Sequence, residues 1–184
     1  RMWNSMKRKR SVRNRRARRC LFLILLALLA LLLIWPRTVH LEGLVSPYAI
    51  LVDADSGEAV AEKEADVSIY PASMTKVMTA LLALEANPDL EQPVTLPEDI
   101  FPELRAEGAS MAGFRPGETA TVRDLLYGAL LPSGAECCEA LAREVSGSEE
   151  AFVELMNQKA AELGMASTHF CNPTGLHDPE HVST

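Results

Sequence analysis

The sequence has 184 residues, of which 48% are hydrophobic and 23% charged, so it suits a single folded domain and not a disordered chain. Ten of the 18 Lys and Arg residues lie within residues 1–19, which contain no acidic residue. The remaining 8 basic residues face all 25 acidic ones, so residues 20–184 carry a net charge of −17. Such an acidic body repels phosphates, which excludes nucleic acid as a partner, and four cysteines exclude a disulfide-dense scaffold.

Residues 20–36 follow the basic segment and predict a transmembrane helix. The 16 residues from Cys20 to Trp35 carry no charge, and at about 1.5 Å per residue they span roughly 24 Å of a ~30 Å hydrocarbon layer. Arg19 and Arg37 can extend into the headgroups at either end. Basic residues before a span predict a cytoplasmic N-terminus and a body on the extracytoplasmic side.

We therefore expect an uncleaved, single-pass signal anchor in the cell membrane, in contact with membrane lipid. The alternative is a cleaved signal peptide, although no Ala-x-Ala-like site follows the apolar run. The predicted organisation has four segments: a basic cytoplasmic segment at 1–19, the transmembrane anchor at 20–36, a linker at 37–46 and a folded body at 47–184.

The folded body begins with a predicted β-hairpin. The apolar run Tyr48–Val52 ends at the turn signal Asp53–Gly57, and residues 58–62 can return as a second strand. Apolar periodicity then predicts helices over residues 72–86, 122–130, 135–145 and 149–163. Between the first two helices, the proline- and glycine-rich stretch 87–120 predicts loops with one short strand near Val94–Leu96. The methionines at core-like helix positions are expected to pack inside the body: Met74, Met78, Met156 and Met165.

The sequence Ser73-Met74-Thr75-Lys76 at the start of the first helix carries the sharpest chemical signal. Positions i and i+3 share a helix face, so the Lys76 amine can reach the Ser73 hydroxyl. A serine hydroxyl needs a base to act as a nucleophile, and a lysine serves when burial lowers its pKa. Alone, this pattern is more often a helix start with an exposed lysine.

The wider order of motifs resembles a known family. The chain has a strand hairpin, then Ser73-x-x-Lys76, and then Ser133-Gly134 between two helices. This order resembles that of the D-alanyl-D-alanine carboxypeptidases among the low-molecular-mass penicillin-binding proteins. The resemblance covers Tyr48 to Thr184. It runs through Ala49–Gly57, Ala72–Lys76, Gly113–Glu118, Asp124–Gly134, Ala151–Met165 and Phe170–Asp178. It implies an α+β, β-lactamase/transpeptidase-like fold, in which helices flank an antiparallel sheet and form a helical subdomain.

The resemblance also implies residue roles and partners. Ser73 is the expected nucleophile, which forms an acyl-enzyme with a peptidoglycan stem peptide or a β-lactam antibiotic. Lys76 is expected to take the serine proton, and Ser133 to relay a proton to the leaving D-Ala. The Ser73 N–H is expected to donate to the oxyanion. Gly134 and Ala135 are the expected substrate-binding residues, and neither a cofactor nor a metal is implied.

Two departures from the family pattern bear on activity. The second motif usually reads Ser-x-Asn, but Ala135 occupies the third position and cannot supply the amide. The third motif, Lys-Thr-Gly on a late strand, does not occur before Thr184. We therefore expect the N-terminal portion of an enzyme, truncated before the later strands, and expect the 184-residue piece to be inactive and poorly stable. Two alternatives stay open, an inactive membrane-anchored peptidoglycan-binding relic and a β-lactamase.

The cysteines of the body allow two interpretations. On the extracytoplasmic side, Cys137 or Cys138 could form a disulfide with Cys171; the alternative is buried free thiols. A zinc site built from these cysteines and the nearby histidines is disfavoured, because the spacing matches no common zinc motif.

Overall fold

The computed structural model describes residues 24, 26, 39–41, 43–87 and 89–184. Two compact units divide the chain, Arg1–Glu64 and Ala65–Thr184. The predicted basic segment 1–19 lies outside the described residues, and so does the predicted anchor 20–36 apart from two helical residues within it. Within the described ranges, no helix has the length and apolar character needed to cross a membrane.

The first unit contains the predicted hairpin. Strand β1, Ala49–Val52, pairs antiparallel with β2, Ala59–Lys63, with a register shift between Leu51 and Val52. The turn is stabilised by the Asp53 carboxylate, whose Oδ1 accepts hydrogen bonds from the backbone N–H of Asp55 at 3.1 Å and of Ser56 at 2.8 Å. Short polar side chains favour such turns when they accept hydrogen bonds from backbone N–H groups two or three residues later. The pairing of β1 with β2 confirms the hairpin prediction.

The second unit holds five helices and two strands among its described residues. In chain order it contains a 3₁₀ turn Ala72–Thr75, α1 Lys76–Ala86, β3 Pro93–Thr95, α2 Ile100–Ala106, β4 Thr119–Thr121, α3 Val122–Leu130, α4 Ala135–Ser146 and α5 Glu149–Glu162. Strands β3 and β4 pair antiparallel, with Val94 opposite Ala120. The α+β content is as expected, although each sheet in the described part of the chain has only two strands.

The prediction of a loop-rich stretch over 87–120 is wrong for α2 and β4. Pro102 makes the segment look like a loop, but it lies in the first turn of α2. A backbone N–H in the first turn has no partner inside the helix, so a proline there destabilises the helix little. Ile100, Phe101 and Leu104 bury one face of this short helix. The burial of this face therefore stabilises the helix, although the proline content of the segment predicts a loop.

Helix α4 lies at the centre of the core. It packs against α1, α3 and α5 and is buried along most of its length. Leu141 belongs to one cluster of buried hydrophobic residues, and the adjacent Ala142 belongs to a second cluster that includes Phe152 and Met156. Where α3 crosses α4, Gly128 is required, because a Cβ there would lie 2.5 Å from the Cys137 sulfur.

Helix α1 is apolar around most of its circumference but is buried on one side only. Met78 and Leu82 pack in the second cluster, whereas Val77 is 66% exposed and Met74, in the preceding 3₁₀ turn, is 61% exposed. The expected core packing is confirmed for Met78 and Met156 and is wrong for Met74. A groove of about 340 Å³ runs along the start of α1 and is also lined by Leu163, Met165 and Phe170, which follow α5.

Candidate active site

The 3₁₀ turn before α1 brings Ser73 and Lys76 together. Lys76 Nζ donates a hydrogen bond to Ser73 Oγ at 3.1 Å, and the serine is exposed while the lysine is only 4% exposed. Ala72, immediately before the serine, has a φ of +48°. Non-glycine residues rarely adopt this left-handed conformation, and such strain is concentrated at functional sites.

Burial gives Lys76 the electrostatics of a base. Desolvation lowers the pKa of its amine, while the potentials of Cys138 and Glu136 act in the opposite direction. The same nitrogen donates to the carbonyl oxygen of Thr174 at 2.5 Å, which fixes the amine beside Ser73. A lysine with a lowered pKa holds more of the neutral form that can accept a proton from the serine hydroxyl.

Ser133 completes the group from the loop between α3 and α4. Its Oγ donates to Ser73 Oγ at 2.8 Å, and its φ of +64° is again left-handed. The chain is held directly after the serine, because Gly134 N–H donates to the Gly128 carbonyl and Ala135 N–H to the Ser110 carbonyl, each at 2.8 Å. Three predicted site residues therefore meet within hydrogen-bonding distance.

Gly134 and Ala135 lie beneath this group. A Cβ on Gly134 would come within 2.6 Å of the Ala112 Cβ and 2.9 Å of the Gly128 carbonyl oxygen, so glycine permits the close approach. Ala135 is 1% exposed and belongs to the first hydrophobic cluster. Both residues shape the floor under Ser133, and their role in substrate binding stays a prediction.

Glu136 follows Ala135 and is fully buried. Its Oε1 accepts from the backbone N–H of Gly113 at 2.9 Å, whereas Oε2 has no hydrogen-bond partner among the described residues. The segment 110–113 thus supports the second motif from below, through Ser110 and Gly113. Glu136 does not reproduce the missing asparagine amide, but its charge contributes to the potential at Lys76.

A loop near the end of the chain supplies the contacts that the sequence analysis does not assign to the site. Pro173 and Thr174 offer carbonyl oxygens to Thr79 Oγ1 at 2.6 Å and to Lys76 Nζ. Asn172 Oδ1 shapes the loop by accepting from the N–H and hydroxyl of Thr174 and from the N–H of Gly175. The Asn-Pro-Thr-Gly run indicates a turn, but nothing in it reveals that a carbonyl will meet the lysine.

The described cysteines are free thiols. Cys137 and Cys138 are buried in α4, and Cys171 is partly buried, so of the two interpretations that the sequence allows, the structure has the free thiols. Burial raises the pKa of Cys138 to about 12, which makes this thiol a packing group and a poor nucleophile. No three His, Cys, Asp or Glu residues in the described ranges are grouped so as to hold a metal ion.

Comparison with known proteins places this geometry in context. A family model for D-alanyl-D-alanine carboxypeptidase matches residues 37–184. D-alanyl-D-alanine carboxypeptidase DacF of Bacillus subtilis is 39% identical over 136 residues, which cover 74% of this chain and 35% of the relative. DacC of Escherichia coli is 41% identical over 143 residues, covering 73% of this chain and 35% of the relative. The chain thus spans about a third of the length of these curated relatives.

Solved structures show the same similarity in three dimensions. The Streptomyces K15 DD-transpeptidase matches with a TM-score of 0.66 and 34% identity, over 70% of this chain and 52% of that one. Penicillin binding protein 6B from Escherichia coli matches with a TM-score of 0.73 and 28% identity, over 81% of this chain and 49% of that one. The described fold is therefore that of DD-peptidases and DD-transpeptidases.

Proposed function

The chain belongs to the D-alanyl-D-alanine carboxypeptidase family, and from this premise we propose that it forms the nucleophile-bearing part of a serine enzyme that removes the terminal D-Ala from peptidoglycan stem peptides. The observation that carries the proposal is the convergence on Ser73 Oγ of Lys76 Nζ at 3.1 Å and Ser133 Oγ at 2.8 Å. Both groups can move protons at the oxygen that attacks.

The geometry supports a two-step acyl transfer. Ser73 Oγ attacks the carbonyl carbon of the penultimate D-Ala, and its proton passes to neutral Lys76. The carbon–nitrogen bond then breaks, and the proton reaches the leaving amine of the terminal D-Ala through the Ser133 hydroxyl. Water hydrolyses the resulting ester, which releases the shortened peptide and returns the proton to Ser73. A β-lactam carbonyl can enter the first step in place of the peptide.

Fluorescent penicillin tests the proposal, on the protein expressed from the complete reading frame that contains this chain. We expect a covalent adduct on Ser73, located by peptide mass mapping, and its loss in Ser73→Ala. Ser167→Ala, at an exposed position in the turn after α5, is the matched control and should label normally. A labelled Ser73→Ala variant would overturn the assignment of the nucleophile.

Product analysis separates the three candidate functions. Release of D-Ala from a stem pentapeptide supports the carboxypeptidase. Rapid hydrolysis of the β-lactam without D-Ala release supports a β-lactamase. A complete lack of acylation together with binding to peptidoglycan supports the inactive relic, which the alanine at position 135 favours.

We further propose that residues 20–36 anchor the protein in the cell membrane, with the basic segment in the cytoplasm and the body outside. The charge asymmetry around the apolar run supports this orientation. Retention in the membrane fraction at alkaline pH, with the body digested by protease added outside spheroplasts, is the expected result. Release of a shortened body into the medium would instead indicate a cleaved signal peptide.

A further inference from the structure

A second cavity lies in the Ala65–Thr184 unit and is lined by a different set of side chains. It has a volume of about 230 Å³ and lies between α2, the middle of α4, the start of α5 and the loop 171–178. We call it the acidic cavity, because its wall contains five carboxylates: Glu103, Glu107, Glu139, Glu149 and Asp178. The side chains in its wall that can carry a positive charge are Arg143 and His177.

The one arginine of the cavity wall does not balance these carboxylates. Arg143 Nη1 donates to both oxygens of Asp99, at 3.0 and 2.7 Å, and Asp99 lies outside the cavity lining. The positive charge of Arg143 is thus shared with a sixth carboxylate. The wall thus holds more carboxyl groups than basic groups to pair with them, and this balance favours a cation.

Glu139 is the central feature of the acidic cavity. It is only 5% exposed, and its Oε2 has no hydrogen-bond partner within the described part of the chain. Burial and the nearby carboxylates of Glu149, Glu103 and Glu107 raise its pKa to about 8, against the opposing effect of Arg143. A buried carboxyl with an unused oxygen is costly unless a partner satisfies it.

We propose that the acidic cavity binds an alkylammonium ion, with the Glu139 carboxylate as its central acceptor. An ammonium group has three N–H donors and suits scattered carboxylate acceptors, whereas a metal ion needs a closer group of ligands that the described residues do not form. Ile100, Leu104 and Leu176 supply an apolar wall along which an alkyl stem can lie.

Calorimetric titration with 1,5-diaminopentane tests the proposal, and 1,5-pentanediol is the uncharged control. The diamine should bind saturably and the diol should not. Because the cation needs ionised Glu139, affinity should rise by about tenfold or more between pH 6.5 and pH 8.5, with proton release at the lower pH. Equal binding of the diol and the diamine would overturn the proposal.

Three variants assign the site. Glu139→Gln should weaken diamine binding at least tenfold and remove its pH dependence. Glu103→Lys, at an exposed position of the cavity wall, should abolish binding without disturbing the core. Glu154→Gln makes the same charge change as Glu139→Gln on the exposed face of α5 and should bind like the parent. Unchanged binding in Glu103→Lys overturns the proposal even if Glu139→Gln does not fold.

Displacement identifies the source of the ammonium group. The titration is repeated in Ser73→Ala, so that acylation cannot contribute, with a short peptide that has a free lysine side chain and with the same peptide acetylated on that lysine. Displacement by the free form alone supports a lysine-like peptide side chain as the ligand. Binding of the diamine that neither peptide displaces supports a free polyamine.

Discussion

Thr75 and His181 are separated by 106 positions in the sequence and are joined by a buried 2.7 Å contact between Oγ1 and Nε2. His181 Nδ1 accepts from the backbone N–H of Cys171 at 3.1 Å, so the proton of the neutral ring lies on Nε2, which donates to Thr75. Thr75 lies between Ser73 and Lys76 in the sequence. His181 therefore supports the serine motif from the C-terminal loop.

Removing the His181 side chain should make the Ser73–Lys76 segment less rigidly held. We expect His181→Ala to lower the rate of Ser73 acylation at least tenfold and to destabilise the fold by about 1–3 kcal/mol, because Thr75 and the Cys171 N–H lose a buried partner. Stopped-flow acylation and thermal unfolding measure the two effects. His169→Gln, at an exposed position, is the control and should change neither.

The buried His181 ring should also make stability depend on pH. Burial lowers its pKa below 6.5, with His169 acting in the same direction and Asp178 against. Above about pH 6.5 the ring is neutral in both states, and below it the unfolded chain binds the proton first, so the contribution of this ring to stability falls as the pH is lowered. Glu139 acts in the opposite direction over the same pH range. The loss should therefore appear in thermal unfolding between pH 7 and pH 5 as a difference between the parent and His181→Ala, and an identical pH dependence of the two would contradict the assignment.

The Lys76 amine should control the pH dependence of acylation. Its pKa is lowered by burial, so the acylation rate should rise with pH, with a midpoint below 10.5. Lys76→Ala should be about 10²–10⁴-fold slower, as is typical when a general base is removed, and should lose the rise. Lys159→Ala removes a lysine bonded to Glu85 and Glu162 and should keep the parent profile. A midpoint at or above 10.5 would argue against Lys76 as the base.

Gly175 should tolerate no side chain, because it lies against the backbone that precedes Ser73. A Cβ there would overlap the carbonyl oxygen of Ala72, and its φ is +80°. Gly164 has a similar φ of +75° but nothing within 4 Å of a Cβ. Gly164→Ala should thus cost only the left-handed conformation, about 1–2 kcal/mol, and keep full acylation. Gly175→Ala should lose more stability and at least tenfold in acylation rate; equal effects of the two variants would contradict the overlap.

Glu139 should make the fold less stable as the pH rises. Its carboxyl has a pKa of about 8 when folded and near 4.5 when unfolded. Between these values the folded state retains a proton that the unfolded state has released, so stability declines from about pH 4.5 until the pH passes 8. We expect Glu139→Gln to raise the melting temperature relative to the parent by several degrees at pH 9 and little at pH 4. Glu154→Gln should show no such difference between the two pH values.

The elements that the sequence predicts well are those with local signals. Helix α3 begins at a capping box, in which Thr121 Oγ1 accepts from the Asp124 N–H and the Asp124 carboxylate accepts from the Thr121 N–H. Ser148 Oγ caps α5 in a similar way, by accepting from the Ala151 N–H. These interactions span three residues and can be read from spacing alone. Helix α2 has no such signal, since its stability comes from packing.

The same distinction applies to the candidate site. Ser73 and Lys76 are one helical turn apart, so their contact follows from spacing, and Ser133 follows from the family resemblance. The contact of Lys76 with the Thr174 carbonyl crosses 98 positions and involves a backbone atom that every residue possesses. No residue type marks such a partner. Helical periodicity likewise identifies the apolar residues of α1 and of the 3₁₀ turn before it, but it does not reveal that Met74 in this turn faces outward.

The contact between Lys76 and the Thr174 carbonyl has a consequence for the protein during its synthesis. The serine motif is synthesised 98 residues before Thr174 and 106 residues before His181, so a growing chain holds Ser73 without the groups that orient its base. Without that contact we expect the lysine amine to be solvated and charged, so that it cannot take the proton of the Ser73 hydroxyl. Under the proposed mechanism, the order of synthesis would protect the nascent chain from premature acylation, because Ser73 would become reactive only after residues 171–181 have folded onto it.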